Sequence, residues 1–332
     1  MLSMRARKRA ALANDLPKVR AQACVYLQGR AGIPCAVRLA SGRESRDSRP
    51  MICVLGTGLL GSGFTRALRR AGESVHVWNR SPAKARALEA DGARAFADPA
   101  AALAGAERLH LSLADDASVD AVLESLADAI APGVWIVDHT TTAVTPTAER
   151  VRRWEGRGRT FVHAPVFMAP ANALEGTGLM LVAGARARHD TLLPELQKMT
   201  GTVAFMGEAP ERAAAFKLFG NMTLIGIMGV LGDVNRLAHA VGISTAEAFA
   251  LFKQFNPGQM LPARAARIES GDVTKPSFEV AMARKDVRLM IEEARRGGVE
   301  LFVMPGVAAM FDAAIARGEG ALDAAVAARI PG

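Results

Sequence analysis

Aromatic side chains are scarce in this chain: one tyrosine and three tryptophans stand among 332 residues, and Phe, Trp and Tyr together make up 5%. The first 50 residues are basic but hold only Tyr26, and proteins that bind single-stranded nucleic acid stack bases on such rings, so that role is disfavoured. Cysteine is equally sparse. Cys24, Cys35 and Cys53 are too few for a disulfide framework, and none sits in a CxxC or Cys/His spacing that would hold a metal. A reducing, cytoplasmic setting is the expectation. Long apolar runs are missing too. The most apolar stretch, Leu218 to Gly232, is about 15 residues long against the roughly 20 needed to cross a bilayer. Lys217, Asn221 and Asp233 bracket or interrupt it, and it reads as a buried core helix. No signal peptide is visible, because Asn14, Asp15, Lys18 and Arg20 break the stretch after the basic cluster Arg5 to Arg9.

What is present is enough for two domains with full cores: the chain is 50% hydrophobic, with mean hydropathy +0.14. Its formal charge of +8 is unevenly placed. Residues 1 to 50 carry eleven Lys+Arg against three Asp+Glu, leaving 30 of each sign in the remainder, so the body is formally neutral. These first 50 residues show no sustained apolar period and end in the polar run Ser41 to Pro50, which predicts a disordered extension. A true start at Met51, a dispensable tail and an organelle transit peptide are three open readings of it.

From Met51 to about residue 207 short apolar runs alternate with helical patterns. The expected strands are Ile52 to Gly56, Val75 to Trp78, Leu109 to Leu113, Val134 to Asp138, Phe161 to Val166 and Met180 to Val182. Alternation of this kind implies an α/β, doubly wound parallel sheet. From 208 to 332 the pattern is helical only, with segments near Glu211 to Ala240, Thr245 to Phe255, Pro276 to Arg296 and Met304 to Arg317, which predicts an all-α second domain for substrate binding and dimerisation.

The first strand runs into Gly56-Thr57-Gly58-Leu59-Leu60-Gly61, a GxGxxG pattern followed by a helix over Leu59 to Arg70. Gly56 permits the tight turn, Gly58 lets a pyrophosphate approach the backbone, and Gly61 allows close packing of helix on strand. This is the Rossmann dinucleotide fingerprint, strengthened by a second strand at the required spacing. An acidic residue at the end of that strand would bind the adenine ribose and repel a 2′-phosphate. The chain has Asn79, Arg80 and Ser81 there, so NADP(H) is favoured over NAD(H). A solvated loop role for Arg80 stays open.

Further segments resemble the β-hydroxyacid dehydrogenase family, which includes 3-hydroxyisobutyrate dehydrogenase and the glyoxylate and succinic-semialdehyde reductases. Asp138-His139-Thr140-Thr141 is similar to the family's Asp-x-Ser-Thr, and His163-Ala164-Pro165-Val166 to its Asp-Ala-Pro-Val. Lys217-Leu218-Phe219-Gly220-Asn221 resembles its Lys-x-x-x-Asn helix, and Lys285-Asp286 its late Lys-Asp pair. The resemblance spans about residues 51 to 330. It implies a Rossmann domain, an all-helical domain and a long helix between them that carries Lys217 into the cleft. The activity it implies is an NADP-dependent interconversion of a small hydroxy compound of the 3-hydroxyacid type with its aldehyde or ketone.

In that reading Lys217 donates and accepts the proton while Asn221, four residues on and on the same helix face, orients it. Thr140 and Thr141 bind substrate oxygens or the nicotinamide side, Leu113 and Ala114 line the nicotinamide pocket, and Lys285 reaches cofactor or substrate. Blander roles stay open: Lys217 snorkelling to the surface, the threonines capping the next helix, and Lys285 as a surface residue. The family follows its Ala-Pro-Val with Ser-Gly-Gly, which holds a substrate carboxylate. Phe167-Met168-Ala169 stands here instead, so the anion site shrinks and these three become candidate substrate contacts. Imine reductases are related but generally lack a lysine at this helix position, so Lys217 favours carbonyl over imine reduction. A non-catalytic dinucleotide-binding module is the remaining alternative. The expected partners are a small-molecule substrate and a second copy of the chain, with no nucleic acid, membrane or metal.

Overall fold

A computed structural model describes residues 50–330. The basic extension, with Cys24 and Cys35, lies outside the described residues. Among the described residues nine strands are formed: β1 Met51–Leu55, β2 Ser74–Trp78, β3 Arg94–Ala95, β4 Ala106–Leu111, β5 Trp135–Asp138, β6 Thr160–His163, β7 Val166–Phe167, β8 Leu179–Val182 and β9 Thr202–Phe205. The helices are α1 Leu59–Arg70, α2 Pro82–Arg86, α3 Pro99–Leu103, α4 Asp116–Ser125, α5 Val144–Gly156, α6 Pro170–Glu175, α7 Arg186–Leu196, α8 Arg212–Ala240, α9 Thr245–Ala250, α10 Leu261–Ser270, α11 Val280–Arg296 and α12 Met304–Ala316.

The first six strands form one parallel sheet in the order β3-β2-β1-β4-β5-β6, the doubly wound arrangement with its crossover between β1 and β4. β1 is apolar throughout because helices cover both faces of the sheet, and Ile52, Cys53, Val54 and Leu55 are all fully buried. Burial also pushes the Cys53 thiol above its ordinary range. The register aligns Trp78, Leu55, Leu111, Asp138 and His163 in one row at the carboxyl ends of five strands. Ligands of open α/β sheets bind just beyond such a row.

The stretch expected as one strand over Phe161 to Val166 is split. β6 closes the parallel sheet, and after Ala164 and Pro165 the chain turns into a second sheet, β7-β8-β9, in which β7 runs antiparallel to β8. Pro165 cannot donate a hydrogen bond, and its carbonyl instead accepts one from Leu181 N–H at 2.9 Å, which starts the new sheet. This second sheet, the short β3, β9 and α10 were not foreseen. The two sheets are joined by α6 lying on α1. Gly63 makes that contact possible, since a Cβ there would stand 2.6 Å from the Ala173 Cβ.

The last part of the described chain is helical. α11 and α12 pair and share a small core with Val273, Phe311 and Val326. The buried Asp233 carboxylate of α8 accepts the N–H groups of Phe302, Val303 and Met304 at 2.7, 2.9 and 3.0 Å, satisfying donors at the entrance to α12 that a helix start leaves unpaired.

α8 corrects the reading of Leu218 to Gly232 as a buried core helix. It is 29 residues long, and by length and apolarity alone would cross a bilayer, yet within the chain its apolar side chains face outward. Phe219, Met222, Ile225 and Met228 are 58, 72, 70 and 69% exposed. The reason is geometric: α8 rests on β8, α5 and α11 along one narrow side, marked by Ala213, Ala214, Lys217, Asp233 and Ala238, and nothing in the described chain covers the other.

Candidate dinucleotide and proton-transfer site

The glycine-rich turn leaves β1 at Gly56, which has a φ of 94°. Any Cβ there would also lie 2.2 Å from the Ser112 carbonyl oxygen, and one on Gly61 would lie 1.9 Å from the Gly56 carbonyl oxygen. Both positions therefore exclude every other residue. Around Gly58 the space is open, with nothing within 4 Å of an added Cβ, and Gly58 stands as the N-cap of α1 without a side chain to occupy it. An exposed helix N-terminus beside a bare backbone fits the pyrophosphate of a dinucleotide.

The Asn79 side chain is committed locally. Its Oδ1 accepts Thr57 N–H at 3.0 Å and its amide donates to the Ser81 carbonyl at 3.1 Å, so from the end of β2 it braces the turn that leaves β1. Arg80 and Ser81 are exposed beyond it. Asp115, the N-cap of α4, faces Arg80 across the strand ends; Ser118 hydrogen bonds hold its carboxyl below the usual range and Arg80 adds to the effect. Leu113 N–H donates to the Thr140 hydroxyl at 3.0 Å, joining the ends of β4 and β5, while Ala114 and Thr141 are exposed. Neither threonine caps α5, whose N-cap is Ala143.

Beneath Thr140 lies a cluster that the sequence reading largely missed. Asp138 is fully buried, its Oδ1 accepts Thr140 N–H at 2.9 Å, and its other oxygen has no partner. His139 Nδ1 sits 2.7 Å from the Ala164 carbonyl and must donate to it, so in the neutral ring its Nε2 accepts from His110 Nδ1 at 2.9 Å. The His110 and His139 rings stack, 5.2 Å apart. His163 Nε2 donates to the Thr140 carbonyl at 2.9 Å and reaches the Thr142 hydroxyl at 3.1 Å; Thr142 in turn bonds Thr147 at 2.7 Å. Three neutral histidines thus pin the ends of β4, β5 and β6 together. Arg150 of α5, buried as well, is held by Asp116 and Asp120 of α4 at 2.8 Å each. Asp138, His139 and His163 enter the sequence reading only as members of the family-like segments, and His110 not at all; isolated histidines on strands carry no signal that they meet.

Lys217 projects from α8 and is buried to 8% exposure. Its ammonium lies 4.1 Å from the centre of the Phe167 ring, and no ion pair or hydrogen bond to it is formed among the described residues. Loss of water pushes its pKa below the ordinary lysine range. Asn221 follows one turn later, half-buried, with no hydrogen bond to Lys217. Met168 packs against the main core, and Ala169 is exposed. Lys285 lies on α11, where it pairs with Asp286 at 2.9 Å and makes no hydrogen bond to the nucleotide turn.

Residues 51–207 match the NAD binding domain of 6-phosphogluconate dehydrogenase, and residues 212–330 match the NAD-binding family of NADP-dependent 3-hydroxyisobutyrate dehydrogenase. The chain belongs to the β-hydroxyacid dehydrogenase family of NAD(P)-dependent oxidoreductases. It is 29% identical over 275 residues to the cytokine-like nuclear factor N-PAC of Homo sapiens, covering 81% of this chain and 49% of that protein. The chain thus spans about half the length of that relative. With 3-sulfolactaldehyde reductase of Escherichia coli it shares 23% over 277 residues, 82% of this chain and 92% of that one. The structure of an imine reductase from Myxococcus stipitatus in complex with NADP+ has the same fold, with a TM-score of 0.80 at 18% identity, covering 84% of this chain and 99% of that one.

Burial holds His139 and His163 down to about 4 and His110 well below its ordinary range, and pushes Asp138 up to about 6. An unfolded histidine takes up its proton near pH 6.5. Between about 6.5 and 4 the unfolded chain therefore binds protons that the folded chain refuses, and stability falls as the pH falls. Asp138 acts in the opposite sense below about pH 6, but it is one group against three. The unfolding free energy from urea titrations is expected to drop by roughly 1 to 3 kcal/mol per pH unit between pH 6.5 and 5. A flat profile there would show that these histidines are charged in the folded protein.

Proposed function

We propose that this chain is an NADPH-dependent reductase of small carbonyl compounds in which Lys217 supplies the proton. The observation that carries this reading is a lysine on α8 that is buried, has no counter-ion, and is held below its ordinary pKa by loss of water alone. A lysine kept dry at such expense is explained by proton transfer. The bound dinucleotide would supply the hydride to the carbonyl carbon. The charge developing on oxygen is then met by the Lys217 ammonium, which gives up its proton to complete the alcohol and leaves a neutral amine. Thr140, fixed by Leu113 N–H and Asp138, contacts the nicotinamide side or the substrate oxygen in this reading. Asn221 and Thr141 are the further substrate contacts in this reading, and Lys285 reaches the site only if α11 approaches it. Lys217→Ala is expected to lower turnover by about 10² to 10⁴ with little change in NADPH affinity. Lys217→Arg should not restore it, because a guanidinium does not release its proton. Near wild-type turnover in Lys217→Ala would reject this role and bring imine reduction, with another donor, to the front.

The cofactor preference rests on Arg80, exposed beyond the Asn79 brace with no acidic residue in its place on the β2 end. Its guanidinium suits a 2′-phosphate. Arg80→Asp should weaken NADPH binding at least tenfold more than NADH binding, measured by nicotinamide fluorescence. Equal losses would show that Arg80 does not face the ribose.

A second copy of the chain is the proposed cover for α8. No Lys, Arg, Asp or Glu occurs between Lys217 and Asp233, and a continuous apolar stripe this long is costly in water. Light scattering should give the mass of a dimer, and Ile225→Glu should shift it towards a monomer. A monomeric wild type, or one that needs detergent or lipid to stay dispersed, would count against this assignment.

A further inference from the structure

Phe167 ends β7 with its side chain against α8. The three atoms nearest to a Cβ built on Gly220 all belong to its ring, at 2.2, 2.6 and 3.1 Å. The ring therefore lies on bare helix backbone, in space that any other residue at 220 would fill. One face of it carries the Lys217 ammonium at 4.1 Å. Leu181, Ala183 and Ala213 form the small apolar cluster that Phe167 joins.

The segment that follows offers an anion little. Met168, Ala169 and Pro170 have no side-chain donors. The Ala169 N–H is already given to Asn172 Oδ1 at 2.9 Å, and the Asn172 amide to the Thr177 hydroxyl at 3.0 Å. A carboxylate placed beside Lys217 would gain one ammonium contact. On the Phe167 side it would also lose its water against an aromatic ring, with no donor there to share its charge. An uncharged carbon substituent loses nothing there and buries apolar surface.

Resting on the carbonyl-reduction reading, we propose that Phe167, seated on Gly220, is a specificity-determining residue that confines the substrate to aldehydes or ketones that carry no carboxylate. It departs from the 3-hydroxyacid class that the family resemblance implies. Phe167 acts by filling space and withholding donors. Gly220 acts by letting it in.

The test pairs two four-carbon aldehydes, butanal and 4-oxobutanoate, with NADPH, and adds a titration of succinate into the NADP+-loaded protein by calorimetry. The wild type is expected to favour butanal in kcat/KM by more than tenfold and to show no succinate binding at millimolar concentration. Phe167→Ser should shift the ratio at least tenfold towards 4-oxobutanoate and give measurable succinate binding. Phe167→Leu, which keeps the apolar bulk, should retain the preference for butanal and guards against a fold defect in the serine variant. A wild type that prefers 4-oxobutanoate, or a ratio unmoved by Phe167→Ser, would overturn the proposal. If no protein reduces either aldehyde, the carbonyl-reduction reading fails by itself. The succinate titration then decides on Phe167, and wild-type binding as tight as that of Phe167→Ser would reject it.

Discussion

The site is organised by one close approach of backbone to backbone. Gly61 at the start of α1 passes so near the Gly56 carbonyl that a Cβ would be 1.9 Å from it, and Gly56 itself presses on the Ser112 carbonyl at the end of β4. Three chain segments are thereby locked at one point without a side chain between them. Because close-packed interiors transmit small displacements, this contact sets the positions of neighbouring strand ends as well as the turn. Asn79 braces the turn from β2, and Thr140 takes the Leu113 N–H from β5. Both contacts hold neighbouring strand ends at that junction.

The same row of strand ends carries an unusual load of buried polar groups. His110, His139, His163 and Asp138 replace the aliphatic residues that would otherwise close the sheet, and several of their ring and carboxylate atoms lack partners. Such a network specifies geometry at some cost in stability. It joins β4, β5 and β6 through side chains, beyond the ladder hydrogen bonds, at the level where the nucleotide loops leave the sheet.

How much was legible depended on how local each requirement is. The GxGxxG turn, the β1 to α1 succession and the parallel sheet follow from short patterns, and the Lys217 to Asn221 face follows from helix periodicity. Gly63 and Gly220 left no such trace, because what demands a glycine there is a partner distant in sequence, Ala173 in one case and Phe167 in the other. The break between β6 and β7 was hidden by an unbroken apolar run across Ala164 and Pro165. β3 has only two residues, too few for any period to show. The exposure of α8 was unreadable for a different reason: an all-apolar helix has the same composition whether its own chain or another surface covers it.

The contact between Phe167 and Gly220 also orders the substitutions open to this chain over evolutionary time. With the ring in place, any side chain at 220 collides with it, so position 220 is frozen while 167 is aromatic. Once 167 becomes small, the three nearest obstacles at 220 disappear together. A larger residue accepted there would then bar the ring from returning. Two sites that are far apart in sequence thus behave as a ratchet, each deciding which changes at the other are survivable, and their effects cannot add.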